Sequence, residues 1–359
     1  MAGRGDPPEG TPEGLPGGDD EYRAVVFDEA FVRAARLQEF SAQERMGEYA
    51  QAVRSRPSWE GRGGGSRPAL MLVLMILLAF GTAVYLGVRT PYQAPVDRRA
   101  EPLRTTVVPL APQGPVPGGT AERLFAHSPA AEYAVGAAGI NFPLTDRTPH
   151  FSESQVLSAL GIAKEYLVAS SLEPGVLTGA TVRPARLLID PDQLEQFDRS
   201  VAEPQDDGRH AVAGWLVRFD PRQVTLAAPT VRVHGTLHIV ELDTDLLEVT
   251  ADHTFTYAVR PASAGPRTAA GASLFTVHRE LRFRFDREDL RTHHAELFSS
   301  TVQAGPQSCD GDPTGALRPL LAGARADRAH QAVTDPYATG RPAIGALCGT
   351  LAPGAQPSA

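Results

Sequence analysis

Lysine is almost absent from this chain, and so is any excess of positive charge. Of the 34 lysine and arginine residues only Lys164 is a lysine, and the formal net charge of the 359 residues is −8. A broad basic surface is what nucleic-acid binding requires, so we expect no nucleic-acid partner.

Motifs that carry chemistry are also missing. The chain has no G-x-S-x-G, Walker A or H-E-x-x-H motif, and its two cysteines are too few for a zinc cluster. We therefore expect no catalytic residues, no metal ligands and no cofactor, and a function other than that of an enzyme.

One long apolar run is present, from Ala69 to Val88, without a charged residue. At ~1.5 Å per residue a helix of this length reaches about 30 Å, the thickness of the hydrocarbon core of a bilayer. The run is too long and too far from the N-terminus for a secretory signal. It predicts a transmembrane helix over residues 69–88, with the bilayer as a partner.

The orientation of that predicted helix depends on the cysteines. Arginines flank the run almost equally, four before it and three after it, so the charge bias is slight. Cys309 and Cys348 both follow the run, and an oxidising exterior would let them pair. We therefore expect a single-pass cell-membrane protein with a cytoplasmic N-terminus and an extracytoplasmic C-terminal domain.

Small residues recur every four positions in the run, at Ala79, Ala83 and Gly87. Such a stripe can let two helices approach closely, and it is also ordinary composition for a membrane helix. A homo-oligomer is left open.

The segment before the run divides into three parts. Residues 1–20 are rich in Gly, Pro and acidic residues and indicate a disordered tail. Residues 21–56 have helical apolar spacing and predict a cytoplasmic helical segment, and residues 57–68 form a basic Gly/Arg tether. The apolar side chains of the helical segment could bind a cytoplasmic or membrane protein, fold on each other or lie on a membrane; the proposed partner contacts are Phe27, Phe31, Leu37 and Phe40.

The segment after the run contains a proline-rich linker, 89–130, and a folded domain, 140–305. A helix is predicted from about Ser152 to Ser171, a strand over Thr181–Ile189, and a short helix capped by Asp190. Alternating apolar and polar residues then predict antiparallel strands around Trp215–Phe219, Val231–Leu242, Leu247–Tyr257 and Phe275–Phe285. The fold class is thus α+β, with helices packed on an antiparallel sheet in an NTF2-like or cystatin-like shape, and with disordered tails.

The polar face of that sheet carries residues that could bind a metal or transfer protons: His234, His238, Asp252, His278 and Glu280. Positions i and i+4 of one strand lie about 13 Å apart, too far to share a metal ion. Arginines crowd the same face, so a solvated charged surface is the favoured interpretation.

Cys309 and Cys348 lie within the C-terminal extension 306–350 and bracket its loop-like stretch; a second disordered tail, 351–359, follows. A disulfide between them would close a loop of about 40 residues and contribute roughly 4 kcal/mol in the entropic treatment. The alternative is two unpaired thiols.

Several stretches together resemble a family of single-pass membrane proteins of streptomycete-type actinobacteria. They are residues 21–57 (EYRAVVFDEAFVRAARLQEFSAQERMGEYAQAVRSRP), the apolar run, LRFRFDREDLR at 281–291, and VQAGPQSC and ALCG around the cysteines. The resemblance implies a role in sporulation, with a cell-wall assembly complex organised by an actin-like protein. It implies no enzymatic residues.

Three functions follow as hypotheses. The first is a non-enzymatic scaffold that links a cytoplasmic partner to spore-wall assembly. The second is a ligand-binding or glycan-binding sensor, with a pocket between helix and sheet. The third is a transmembrane regulator of the anti-sigma type, although the zinc signature common in such domains is missing.

Overall fold

The structure is a computed structural model that describes residues 67–89, 98–264, 271–312, 314–326, 333–338 and 348–357. The chain divides into two compact units, Met1–Gln93 and Ala94–Ala359. The predictions for residues 1–20 and 21–56 lie outside the described residues, and so do Phe27, Phe31, Leu37 and Phe40.

The first unit contributes one described helix, α1 (Arg67–Arg89). Its side chains over residues 70–85 are exposed. Among the described residues no helix has the length and hydropathy that a membrane crossing requires. This finding contradicts the predicted transmembrane helix at 69–88, and with it the single-pass cell-membrane localisation with a cytoplasmic N-terminus and an extracytoplasmic domain.

The second unit is organised around a sheet. Eight strands within the described residues join in the order β2-β3-β4-β5-β6-β1-β8-β7. The strands are β1 (Arg104–Ala111), β2 (Ala134–Val135), β3 (Val224–Asp243), β4 (Leu246–Pro261), β5 (Ser273–Phe285), β6 (Glu296–Gly305), β7 (Val333–Thr334) and β8 (Gly349–Leu351).

Side-chain alternation explains the long strands β3, β4 and β5. The hairpin between β3 and β4 closes at Asp243, whose carboxylate accepts a hydrogen bond from the backbone N–H of Asp245 over 2.8 Å. Val249, Phe255 and Val277 all face the main core and are fully buried. The intervening polar residues therefore share the opposite face of the sheet.

Seven α-helices pack on the two faces of the sheet within the described residues. One of them, α2 (Ala121–Ala126), packs on the polar face against Leu274. The others cover the core face: α3 (Glu153–Ser171), α4 (Pro174–Leu177), α5 (Arg183–Arg186), α6 (Leu194–Ala202), α7 (Val212–Trp215) and α8 (Arg287–Thr292). The predicted helix start is confirmed: Ser152 caps α3 in a capping box with Gln155. Leu160 and Leu167 of α3 are buried in the main core.

The predicted fold class is wrong, because the sheet is mixed. β3 to β6 pair antiparallel, but β1 pairs parallel with both β6 and β8, and β7 pairs parallel with β8. Parallel neighbours come from distant parts of the chain, which local alternation does not reveal. The disordered tail predicted at 351–359 begins at Leu351, which is buried in β8.

Other segments also differ from their predictions. The predicted linker 89–130 contains β1, where Pro109 lies at the point at which pairing passes from β6 to β8, and the helix α2. The predicted strand Thr181–Ile189 instead contains α5, and the predicted strand at Trp215 ends the helical turn α7. Burial in the tertiary structure outweighed local propensity at these sites.

Candidate functional site

The predicted polar face of the sheet exists and brings some of its residues into contact. Nε2 of His278 lies 2.7 Å from Oδ1 of Asp252 on the neighbouring strand, and Nδ1 of His278 lies 3.1 Å from the carbonyl oxygen of Pro336. Both ring nitrogens thus face oxygen atoms of the protein itself.

The other predicted residues of this face make separate contacts. The ring of His234 stacks on Tyr133 with centroids 4.8 Å apart, while Glu280 lies 3.4 Å from Nε of Arg282. His238 is exposed. Within the described residues, no group of three or more His, Cys, Asp or Glu side chains is arranged to hold a metal ion.

A C-terminal segment covers one end of this polar face. Thr254 donates a hydrogen bond to the carbonyl of Pro336 over 2.8 Å, and the hydroxyls of Tyr337 and Thr276 lie 2.8 Å apart. Burial raises the pKa of the Tyr337 phenol. The part of the polar face under this segment is therefore buried, whereas the part around Thr236 and His238 is exposed.

The predicted disulfide is present and closes this extension. Cys309 and Cys348 are bonded, with Cα atoms 5.8 Å apart and a sequence separation of 39 residues. Neither cysteine is therefore a nucleophile. The prediction of helix association through Ala79, Ala83 and Gly87 remains a prediction; all three residues lie in α1.

A buried arginine on the core face escaped the sequence analysis. The guanidinium of Arg279, in β5, donates hydrogen bonds to the hydroxyls of Ser170 and Ser171 at the end of α3 over 2.9 and 2.7 Å. It also donates to the carbonyls of Gly214 and Trp215 at the end of α7, over 3.1 and 2.9 Å. Arg279 interrupts the alternating apolar residues 275, 277, 281 and 283, and this interruption was the feature of the sequence that could have revealed a buried arginine.

This arginine occupies the space between helix and sheet where a ligand pocket was predicted. Its side chain is fully buried, and burial lowers the pKa of the guanidinium from its ordinary value. The carbonyl ends of two helices carry partial negative charge and so offset the buried cation. Arg279 therefore ties the sheet to both helices and is a structural residue.

A groove lies on the outer side of α3, about 600 Å³ in volume. Its lining comes from α3 and the turn that follows it, from α5 and the turn after it, and from the segment before α3: Phe142, Gly161, Lys164, Glu165, Val168, Ala169, Glu173, Pro184, Leu187 and Leu188. Phe142 and Leu187 remain 43% and 58% exposed, high values for large apolar side chains. The apolar spacing in the sequence indicates only the core side of this helix, so the groove was not predicted.

Charged groups at the groove are unequally available. The ammonium of Lys164 donates to the carbonyl of Ile140 over 2.8 Å and lies 5.5 Å from the centroid of the Phe142 ring. Glu165 is exposed and lies 2.8 Å from Nε2 of His293, and Glu173 is exposed at the end of α3. The groove thus has an apolar floor, an acidic rim and an engaged lysine.

A second cavity of about 680 Å³ precedes α3 and is lined by residues 146–153. Because a single polar loop forms it, we regard the groove, to which several elements contribute, as the better candidate site. No family model, curated protein or solved structure matches this chain.

Proposed function

We propose that this protein is a non-enzymatic adaptor whose second unit binds a protein partner through the groove on α3. The observation that carries the proposal is the exposure of Phe142 and Leu187 around a preformed apolar groove. Apolar side chains held at a concave surface supply binding free energy when a partner covers them.

The chemistry of the polar side chains supports binding rather than catalysis. His278 is held between a carboxylate and a carbonyl, and the two cysteines are bonded to each other. The buried Arg279 directs both terminal nitrogens of its guanidinium at groups of the fold itself. The groove itself contains no pair of side chains that resembles a nucleophile and its base.

The cellular setting of the proposed adaptor rests on the resemblance described above. That resemblance implies that the partner belongs to a spore-wall assembly complex. The aromatic segment that contains Phe27 and Phe31 would supply a second contact, so that the chain joins two proteins.

The proposal is tested by photo-crosslinking in cells that naturally make the protein. A photoreactive amino acid replaces Leu187 in the groove; in a matched control it replaces Leu157, which is 42% exposed on α3 but does not line the groove. We expect a discrete protein adduct from position 187 and none from position 157, with wall-assembly proteins among the adducts. The same adducts from both positions, or none from 187, would overturn the groove as the contact site.

A further inference from the structure

We infer that the groove on α3 takes a cationic amphipathic peptide segment, one that places apolar side chains on the groove floor and arginine or lysine side chains at its rim. The inference rests on the proposed function and adds the chemical class of the partner.

The floor of the groove sets the apolar half of the requirement. Val168, Ala169 and Leu188 line it, with Phe142 and Leu187 at the exposed margin. Gly161 leaves an opening on the surface of α3, since a Cβ atom built there meets nothing within 4 Å. A volume of about 600 Å³ lies within the ~300–1,000 Å³ typical of ligand pockets, which suits a few side chains rather than a flat protein surface.

The charged side chains at the rim of the groove determine which charge the bound peptide should carry. Two carboxylates line the groove and are exposed: Glu173, and Glu165, which also lies 2.8 Å from Nε2 of His293. The one cation among the lining residues, Lys164, is engaged by Ile140 and the Phe142 ring. The nearby guanidinium of Arg186 is held by both carboxylate oxygens of Asp198, at 2.8 and 2.7 Å. The available charge at the groove is therefore negative, which favours a cationic segment and disfavours an anionic one.

Lys164 also provides a reporter inside the site. As the only lysine of the chain, it is the only side-chain amine that reductive methylation with ¹³C-formaldehyde labels, and it lines the groove. The methylated ammonium keeps its charge and one N–H for Ile140. Its NMR resonance therefore reports occupancy of this groove and of no other surface.

The experiment titrates the full methylated chain with three synthetic 14-residue peptides. They share the same leucine and phenylalanine positions and carry arginine, glutamine or glutamate at the remaining positions. We expect the arginine peptide to shift the Lys164 resonance with at least roughly tenfold lower Kd than the glutamate peptide, with the glutamine peptide between them. The difference should shrink at high salt, because rim charges are screened.

Variants test each half of the requirement. Glu165→Gln/Glu173→Gln should weaken the arginine peptide by about three- to tenfold and leave the glutamine peptide nearly unchanged. A control with the same change in charge is Glu122→Gln/Glu132→Gln, on exposed residues in and next to α2. Leu187→Ser should weaken the arginine and glutamine peptides, whereas Leu157→Ser should weaken neither.

Each other outcome overturns the inference in a recognisable way. Equal affinities for the three peptides, still dependent on Leu187, would remove the charge preference and leave the proposed function standing. If the arginine peptide binds equally well to the unchanged protein, to the Leu187 variant and to the variant of the two glutamates, its binding is a general electrostatic attraction to an acidic chain. Absence of any Lys164 shift would remove the peptide class, while the crosslinks from position 187 would still decide the proposed function.

Discussion

The guanidinium of Arg279 donates a hydrogen bond to the hydroxyl of Ser171 over 2.7 Å, and this contact joins the centre of β5 to the last residue of α3. Ser171 is used a second time, because its carbonyl accepts a hydrogen bond from the phenol of Tyr257 over 2.7 Å. The end of α3 is thus fixed to two neighbouring strands. Since the groove lies on the other side of the same helix, this contact holds the candidate site in place.

Arg279→Lys should destabilise the protein although it keeps the charge. A lysine ammonium cannot reproduce the planar fork that reaches two hydroxyls and two carbonyls, and the buried charge loses part of its compensation. We expect a loss of about 3 kcal/mol in the free energy of unfolding, measured by urea denaturation. Arg104→Lys, on an exposed arginine, is the matched control and should change stability by less than about 0.5 kcal/mol. Equal effects of the two substitutions would contradict the structural role of Arg279.

His253 should make the fold sensitive to acid. It is fully buried, both ring nitrogens lack a hydrogen-bond partner, and burial lowers its pKa from 6.5 to about 4. Between these values the unfolded chain binds the proton and the folded chain does not, so the contribution of His253 to stability is complete above about pH 6.5 and is lost as the pH drops towards 4. The shift corresponds to about 3 kcal/mol.

The test for His253 is the substitution His253→Phe, which keeps the ring and removes the titrating group. Relative to the unchanged protein, the unfolding free energy of the variant should increase as the pH falls from 6.5 towards 4, because only the contribution of His253 to the pH dependence is removed. The exposed His238 provides the control, and His238→Phe should leave the acid dependence as it was. An unchanged slope in His253→Phe would show that another group causes the acid sensitivity.

The sequence could predict the parts of this fold in which neighbouring residues carry the information. The capping residues of α3 and the alternation in β3, β4 and β5 are local patterns, and the structure has elements at those positions. The parallel pairing of β1 with β6 joins residues almost 200 positions apart, for example Arg104 and Ser299, so no local pattern could reveal it. Pro109 was interpreted as part of a linker. The strand register, which the sequence does not reveal, places this proline where the pairing of β1 with β6 ends and its pairing with β8 begins.

The candidate site was harder to predict than the strands. Lys164 and Glu165 read as ordinary surface positions of an amphipathic helix, and the groove arises only because the turn after α5 folds against that helix. The predicted polar cluster, in contrast, was visible in the sequence, but its residues divide between a buried contact of His278 with Asp252 and exposed positions such as His238. Residue type alone did not distinguish those two environments.

The disulfide should stabilise the sheet at β8. Cys348 directly precedes β8, which pairs with β1, and its partner Cys309 follows β6. Cys309→Ser/Cys348→Ser should lower the free energy of unfolding by up to about 4 kcal/mol, the value for closing a loop of this length in the entropic treatment. Reduction of the unchanged protein should give the same loss in urea denaturation. A double variant as stable as the oxidised protein would show that the extension adds nothing to the cooperative unit.

Asp289 should make stability fall as the pH rises, the reverse of the effect of His253. Burial is the main cause that raises the pKa of this carboxyl from 3.8 to about 8, with Asp286 and Asp190 as further causes. Between these values the folded chain holds a proton that the unfolded chain has released, so the contribution of Asp289 to stability is greatest at the acid end of this range and decreases towards pH 8.

Asp289→Asn removes that titration and keeps an oxygen that can accept the hydrogen bond from the backbone N–H of Asp286, which is 3.0 Å long in the structure. The variant should gain stability at pH 8 relative to the unchanged protein, by a few kcal/mol at most, and this gain should shrink as the pH falls towards 4. Glu288→Gln, on the exposed neighbour, is the control for the change in charge. If Asp289→Asn unfolds more readily at pH 8, the carboxylate is charged and stabilising in the fold, and the raised pKa is refuted.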